Sequence, residues 1–560
     1  MLRSTLPGLL LALLCCQTVA KAFPTKAFLQ SLNTTASGGV FWEDLQVVAA
    51  DGTVLLEPFS GSVANGQLCG ILGPSGAGKT TFLSAIGGRY PRYGVVSSYQ
   101  SVSNQTIELH DIQTSQIAWL KQHDDFFSML SVRETMELAA FLELPSWYDS
   151  QRRSLVQGHL DALGLAHVAS RKVGSFYGIG PQLSGGEKRR LSVALELITD
   201  KELFLADEPT SGLDSSMSGR VVDFIRQATV KRDIPCFCVL HQPRSSIWHA
   251  LDTFVLVAQG GRVCYAGKKR DAVDYFAALG FPCPSATNPA EFFIDLVSVD
   301  MEDPVQALVD EKRIEDLRGA FVDYQKQEKS LLSTHSRLHV SSETNRGSSR
   351  RGILEIFPVI RLVRRFGALV RRSWRQNARM WGVNVFRFVA SIGNACLLAS
   401  IFPSVHGPVP EAGSVADRVA LLSFGAINMC FLSFMRTVRM ISEEKPVVER
   451  EQTRKQYSSL EYLAAKVATE FPFDAFFVSV FTTGLKHFSG LRIGWLALTS
   501  VFSLLTVAGS ALGLFLGSWL PSGDLATTGS IPVLIIMMVV GISKLFGDPK
   551  PNTIPLLNGF

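Results

Sequence analysis

The chain has 560 residues, 47% of them hydrophobic, with mean hydropathy +0.20 and a net charge of +5. Such length allows roughly three or four domains, and such hydropathy is high for a wholly water-soluble protein. The apolar excess falls after about residue 380 and the basic excess just before it, near Arg364–Arg379, which suits a collar beside a membrane and not a nucleic-acid surface. Nine cysteines are scattered without ligand-like spacing, so neither a disulfide framework nor a zinc site is expected.

In chain order, the first segment, 1–40, reads as a targeting presequence. Arg3, the apolar stretch Leu6–Leu14 and Ala20-Lys21-Ala22 before Phe23 make a secretory signal with a small-residue cleavage site. The stretch is too short to span a bilayer well. From Phe23 to Val40 the chain carries Lys26, many hydroxyl residues and no acid until Glu43, which is transit-peptide chemistry. Together the two parts resemble the bipartite presequence of algae with secondary plastids; an uncleaved anchor and a mispredicted start codon are the alternatives.

Residues 41–300 alternate β-type and helical runs, as an α/β domain does. Val40–Val48 and Thr53–Phe59 read as strands, and the apolar run Leu68–Leu72 as a third. A complete phosphate loop follows: Gly73-Pro74-Ser75-Gly76-Ala77-Gly78-Lys79-Thr80, then Thr81. Its glycines let backbone N–H groups point inward while the next helix presents its positive end to phosphate. Lys79 is expected to reach the β/γ-phosphates, and the Thr80 hydroxyl to hold Mg²⁺. Leu183-Ser184-Gly185-Gly186-Glu187 precedes the helical run Lys188–Ile198 and forms a second helix N-terminus suited to anions. Leu203–Ala206 is short and apolar enough for a buried parallel strand. Asp207 at its end is placed to hold Mg²⁺, and Glu208 to polarise water; attack on a γ-phosphate needs mainly positioning and charge neutralisation. Tyr177 and Phe176 read as packing.

A lone phosphate loop would mean only a nucleotide protein. The ordered set, with Gln122 in Leu120-Lys-Gln-His, Asp214 in Ser211-Gly-Leu-Asp, and His241 in Val239-Leu-His-Gln-Pro, resembles an ABC-type ATPase cassette. That resemblance implies that Gln122 senses Mg²⁺ and meets the membrane domain, and that His241 contacts the γ-phosphate. It also implies that Ser184, Gly185 and Gly186 cap the nucleotide of an opposite cassette, hence a dimer with Asp214 at the seam. The family's adenine-stacking aromatic would fall near Val48–Ala50, which is not aromatic; Trp42 or Phe41 is the substitute. An ATPase behind the presequence would sit in an ATP-containing stroma.

Three further strings resemble the G subfamily, the White/pigment-type half-transporters. They are Asn288-Pro-Ala-Glu-Phe-Phe-Ile-Asp295, Arg371-Arg-Ser-Trp-Arg-Gln-Asn377, and Glu449-Arg450-Glu451 with Tyr457-Ser458 and Glu461–Lys466. Between them lie a polar linker, 301–355, least periodic at 325–352, and an amphipathic connecting helix, 356–380, with Arg364, Arg365, Arg371 and Arg372 on its wet face. The transmembrane domain, 381–560, offers about five apolar segments, near 384–402, 415–435, 470–488, 495–519 and 527–546. The basic stretch Arg436–Lys455 reads as a loop on the ATPase side, while Lys486 and Arg492 fall on the far side, against the positive-inside rule. The family has six spanning helices, so the last is expected to be missing here, through a shortened gene model or a natural truncation.

The expectation is therefore an α/β P-loop ABC ATPase domain followed by an all-α polytopic membrane domain, using ATP and Mg²⁺. Its implied partners are another half-transporter in a homo- or heterodimer, membrane lipid, and a lipid, sterol, pigment or other hydrophobic substrate, but no nucleic acid. It would be integral to a plastid membrane, or otherwise to the plasma membrane or an endomembrane. The rival expectations are a truncated, non-transporting partner subunit and a soluble-type ABC ATPase.

Overall fold

The computed structural model describes residues 39–49, 51–88, 99–102, 105–108, 116–144, 148–174, 182–199, 201–333, 358–402, 405 and 412–520, with scattered positions between 525 and 539. The presequence before Gly39, Phe176 and Tyr177, most of 527–546 and the chain's end lie outside them. The chain divides into two units.

The first unit (Met1–Asp124, Val132–Arg171 and Leu183–Ile353) is α/β. An antiparallel pair, β1 (Gly39–Val48) and β2 (Val54–Ala64), precedes β3 (Leu68–Leu72) and α1 (Lys79–Ile86). The short hairpin β4 (Tyr99–Val102) and β5 (Gln105–Glu108) leads to β6 (Ile117–Leu120), α2 (Val132–Glu143), α3 (Asp149–Ala162) and α4 (Gly185–Glu196). Then come β7 (Leu203–Asp207), α5 (Ser215–Arg232), β8 (Cys236–Val239), α6 (Ser245–Ala250), β9 (Thr253–Ala258), β10 (Arg262–Lys268), α7 (Lys269–Ala278), α8 (Pro289–Leu296) and α9 (Pro304–Ser333). The six-stranded sheet runs β10-β9-β3-β8-β7-β6, parallel except for β10 at its edge. Every residue of β3, β7 and β8 is buried, which explains their unbroken apolar sequences: a parallel strand is covered on both faces.

An aromatic knot fastens β1 and β2 over α1. Trp42 stands edge-on to Phe59 and Phe82 at 5.7 and 5.4 Å, and Gly61 lets it in, since a Cβ there would meet the indole at 2.4 Å. Trp42 is therefore core and unavailable to stack adenine, whereas Phe41 alternates to the exposed side. Half of the expected linker is also structure: α9 buries Phe321, pairs Arg318 with Glu57, and bonds Gln325 to Ser60 at 3.3 Å.

The second unit (Asp125–Ser131, Lys172–Gln182 and Leu354–Phe560) is helical: α10 (Pro358–Arg379), α11 (Trp381–Ile401), α12 (Ala412–Thr453), α13 (Ser459–Ser489) and α14 (Trp495–Trp519). Among the described residues, three helices are long and apolar enough to cross a membrane: Trp381–Ile401, Asp417–Thr453 and Trp495–Trp519. Two expectations change here. The stretch Arg436–Lys455 is not a loop, because α12 continues to Thr453. Nor do the arginines of α10 share one wet face: Arg364 and Arg371 are exposed, but Arg365 pairs with Glu461 at 3.0 Å and Arg372 is buried against Glu451 at 2.7 Å. The exposed surface of α10 also carries Val359, Ile360, Leu362 and Val363, so cationic and apolar side chains share it, the arrangement of a helix lying at an apolar boundary.

Buried charges inside this unit satisfy one another. Asp474 accepts from Arg387 at 2.6 Å, Arg436 at 2.8 Å, Ser433 at 2.9 Å and Ser510 at 3.1 Å. Glu470 takes Arg436 and Asn377, and Glu444 takes Lys466, Gln376 and Tyr462. Where water is excluded, such groups persist only when paired. The seam between α14 and α12 is made by Gly509, Gly513 and Gly517, one per turn. A Cβ at each would lie 2.7, 2.8 and 2.9 Å from the carbonyl oxygens of Cys430, Phe434 and Val438. Small residues at this spacing let two helix backbones touch.

Candidate functional site

The parallel sheet gathers the sequence motifs at one edge. The phosphate loop follows β3, His241 follows β8, Asp207 ends β7 and Gln122 follows β6, and these four strands are consecutive in the sheet, in the order β3-β8-β7-β6. Registers keep the ends level: Ile71 and Asp207 both face Val239 of the strand between them, and Leu120 faces Ala206. Ligands of open parallel sheets bind beyond the carboxyl ends of the strands.

The phosphate loop's backbone is set by its glycines. Gly73, Gly76 and Gly78 have φ of 148°, 75° and 99°, and a Cβ on Gly73 would strike the Val257 carbonyl at 2.0 Å. Helix α1 begins at Lys79 with no side-chain cap and no acidic residue in its first turn. Helices α6, α7, α11 and α14 also lack a side-chain cap, whereas α4, α5, α8 and α13 are each capped by a side chain, from Ser184, Asp214, Asn288 and Ser458. The N–H groups at the start of α1 are thus left for an anion, which the helix dipole favours. Lys79 lies across the loop, its Nζ donating to the carbonyls of Gly73 at 2.8 Å and Pro74 at 2.7 Å. Burial lowers its pKa, opposed by the charges of Glu208 and Asp207.

Thr80 Oγ1 donates to Asp207 Oδ1 at 3.2 Å. Burial pushes the Asp207 carboxyl above its ordinary value, against that hydrogen bond. A hydroxyl and a carboxylate oxygen at this separation form a hard-oxygen pair, the donor set that Mg²⁺ prefers. Glu208 follows with φ 50°, a left-handed backbone that a non-glycine residue keeps only when its surroundings impose it.

What imposes it is Arg189, which the sequence reading missed. Its guanidinium donates to the Glu208 carbonyl at 3.0 Å, the Asp207 carbonyl, the Lys121 carbonyl at 2.6 Å, the Gln122 carbonyl at 3.4 Å and Asp124 Oδ1 at 2.9 Å. A single buried side chain on α4 therefore ties the ends of β6 and β7 together. In sequence Lys188-Arg189-Arg190 are three adjacent cations at the start of a helical run; only burial sets Arg189 and Arg190 apart from Lys188.

Ser184 begins α4 in a reciprocal cap: Ser184 Oγ accepts from the Glu187 N–H at 3.2 Å, and Glu187 Oε2 accepts from the Ser184 N–H at 2.8 Å. Burial raises the Glu187 pKa, but the Ser184 bonds and the Arg171 charge outweigh it and hold the carboxyl below its usual range. Ser184 and Gly185 are exposed, and Gly186 packs on Leu213. Asp214 caps α5 through the N–H groups of Ser216 and Met217, both at 3.0 Å. Gln122 and His241 are exposed at their strand ends.

A phosphate loop, a carboxylate pair and a serine–glycine helix cap on this sheet define an ATP-binding cassette ATPase. Consistent with it, residues 56–211 match the ABC transporter family and residues 364–542 the ABC-2 type transporter family, with a further ABC-2 type transporter match at 241–317. The chain belongs to the G family of ABC transporters. It is 33% identical to "ABC transporter G family member 7" of Arabidopsis thaliana over 505 residues, 89% of this chain and 68% of that protein. It is 29% identical to "ABC transporter G family member 22" of Dictyostelium discoideum over 418 residues, covering 73% of this chain and 64% of the relative. To "ATP-binding cassette sub-family G member 5" of Rattus norvegicus it is 29% identical over 433 residues, 77% and 64% of the two chains. The chain thus spans about two thirds of the length of these relatives.

Proposed function

We propose that the chain is the half-subunit of an ATP-driven exporter that moves a lipid, sterol, pigment or other hydrophobic compound across a membrane. The observation that carries this reading is one chain joining the phosphate site to helices whose outward surface is apolar. Trp381, Phe386, Leu496, Phe515 and Trp519 are each more than 60% exposed on α11 and α14, which only lipid or another subunit would cover.

The catalytic cycle follows from the site. In a homo- or heterodimer, ATP lies between the phosphate loop of one subunit and Ser184–Gly186 of the partner subunit, with Asp214 at the seam. Lys79, Thr81 and the loop N–H groups bind the phosphates. Thr80, Asp207 and Gln122 would hold Mg²⁺, which neutralises charge on the transferred phosphoryl group. Glu208 orients the attacking water, and His241 contacts the γ-phosphate. Coupling to the membrane runs through the segment just after Gln122. Asp125–Ser131 belongs to the helical unit, where Arg372 lies 4.1 Å over the Phe127 ring and Arg379 donates to the Met129 carbonyl at 3.0 Å.

Reconstitution in proteoliposomes tests the proposal. ATP-dependent accumulation of a fluorescent sterol or phospholipid, abolished by Glu208→Gln while ATP binding persists, is the expected result; ATP turnover unchanged by Glu208→Gln would overturn the catalytic assignment. Delivery to a plastid membrane by the bipartite presequence is part of the same proposal, and Met1–Val40 fused to a fluorescent reporter tests it: diffuse cytosolic signal ends it.

A further inference from the structure

Helix α10 turns two unlike stripes away from its neighbours. Val359, Val363, Val370 and Trp374 fall on one flank of a 3.6-residue helix, and Arg361, Arg364, Arg371 and Arg375 fall on the flank beside it. Val359, Val363 and Trp374 are 68%, 62% and 47% exposed. The remaining face is engaged within the protein. Leu369 is buried there, Arg365 and Arg372 pair with Glu461 and Glu451, and Gln376 and Asn377 bond Glu444 and Glu470.

Three observations point to what covers the two stripes. The first is position. Met380 alone separates α10 from the start of α11 at Trp381, a helix long and apolar enough to cross a membrane. Arg365 meets α13 at Glu461 and Asn377 meets it at Glu470, so α10 lies along the first three turns of α13 and ends where α11 enters the bilayer. The second is continuity. The Trp374 ring lies 4.9 Å from Phe473 of α13, and Phe476, one turn on, is exposed, so the apolar flank runs on into the outward surface of the helical unit. The third is charge. No Asp or Glu occurs from Ile356 to Pro410. Arg364 and Arg375 make contacts within the protein, whereas Arg361 and Arg371 are exposed and no carboxylate pairs with either among the described residues. An apolar flank beside an unneutralised basic one fits anionic headgroups lying over acyl chains. A zwitterionic leaflet would meet the apolar flank and leave both arginines unanswered.

The inner face gives such binding a consequence. Arg372 lies over the Phe127 ring and Arg379 donates to the Met129 carbonyl, so the helix that carries the stripes also holds the segment after Gln122.

We propose that α10 binds anionic lipid in the leaflet on the ATPase side and that this lipid sets the rate of ATP turnover. Arg361 and Arg371 meet the headgroups, Val359, Val363 and Trp374 lie among the upper acyl chains, and the helix so held steadies Asp125–Ser131. Lipid preference is read without ATP, so its failure is separate from failure of the transport reading.

The test uses the full chain in phosphatidylcholine nanodiscs. By electron paramagnetic resonance, spin-labelled phosphatidylglycerol should be held in preference to spin-labelled phosphatidylcholine, and about 0.5 M salt should remove most of that preference. ATP turnover should rise and saturate as unlabelled phosphatidylglycerol is added. In Arg371→Gln the lipid fraction giving half the rise should increase about fivefold. Arg361→Gln combined with Arg371→Gln should lose most of the preference and of the rise. Arg361→Lys combined with Arg371→Lys should keep both, since a headgroup layer reads charge and not the guanidinium fork. Turnover in phosphatidylcholine alone and the thermal midpoint should be the same in every variant. Equal association of the two lipids, which would leave this face to an acidic protein, or a preference undiminished in the double glutamine variant would overturn lipid binding. Turnover indifferent to phosphatidylglycerol while the preference stands would overturn the control of rate.

Discussion

Lys79 and Lys466 are both buried, 7% and 1% exposed, and their partners differ in kind. Lys79 donates to two neutral carbonyls of its own loop. Lys466 donates to Glu444 at 2.7 Å and faces Glu470 at 3.7 Å. Carbonyls position an ammonium and leave its charge unspent, so Lys79 can still attract phosphate. Carboxylates cancel the charge, so Lys466 is structural. The same division runs through the molecule: the ATPase unit keeps polar groups at strand ends with capacity to spare, while the membrane unit uses its charges on one another.

Substitutions at the two kinds of site should therefore separate activity from stability. The largest effect is expected for Lys79→Ala, with ATP turnover falling by about two to three powers of ten and the thermal unfolding midpoint nearly unmoved. Asp474→Ala should do the reverse. It strips a shared partner from Arg387 and Arg436 in a buried network, and removing one member of such a pair costs about 3–5 kcal/mol. Detergent-solubilised material should unfold or aggregate early in fluorescence-detected size exclusion, while the nucleotide site is untouched. A normal elution profile would show that water reaches this cluster.

Smaller effects probe the seams. Gly513→Leu must push α14 away from the Phe434 carbonyl, and overpacking of this kind costs about 1–3 kcal/mol, visible as a lower midpoint in lipid. Arg189→Lys keeps the charge but loses the fork that bonds five acceptors, so turnover should fall by about tenfold as the Glu208 backbone loosens. The smallest change is a pH effect at the α4 cap. Because the Glu187 pKa is lowered from its ordinary 4.5, the cap's contribution is complete above that value and disappears as pH falls through the lowered one. Hydrogen exchange at the Ser184 and Glu187 amides should accelerate only in that acid range relative to the base-catalysed trend.

Most of the nucleotide site was legible in sequence, because its parts are short, local and tied to strand ends. The strand before Gly73, the carboxylates at 207 and 208 and the helix start at 184–186 each carry their reason within a few residues. What was not legible depends on distant partners. Trp42 is core only because Phe59, Phe82 and Gly61 meet it across the fold. Arg189 is an organiser only because β6 and β7 end beside it. In the membrane unit hydropathy located α11 and α14, yet it read Arg436 as a loop residue, since composition records a charge and not the Asp474 and Glu470 that bury it. The glycine spacing 509, 513, 517 was present in the sequence and is a packing signal that hydropathy does not weigh.

Helix α12 has 42 residues, which at 1.5 Å per residue is about 63 Å along its path, roughly twice the hydrocarbon thickness of a bilayer, and Pro446 lies inside it, where the missing N–H lets the helix bend. Across such a length, a rigid rotation of about 5° would displace the two ends relative to each other by roughly 5 Å, the rise of one helical turn. A bend at Pro446 would absorb part of that displacement before it reached the Thr453 end.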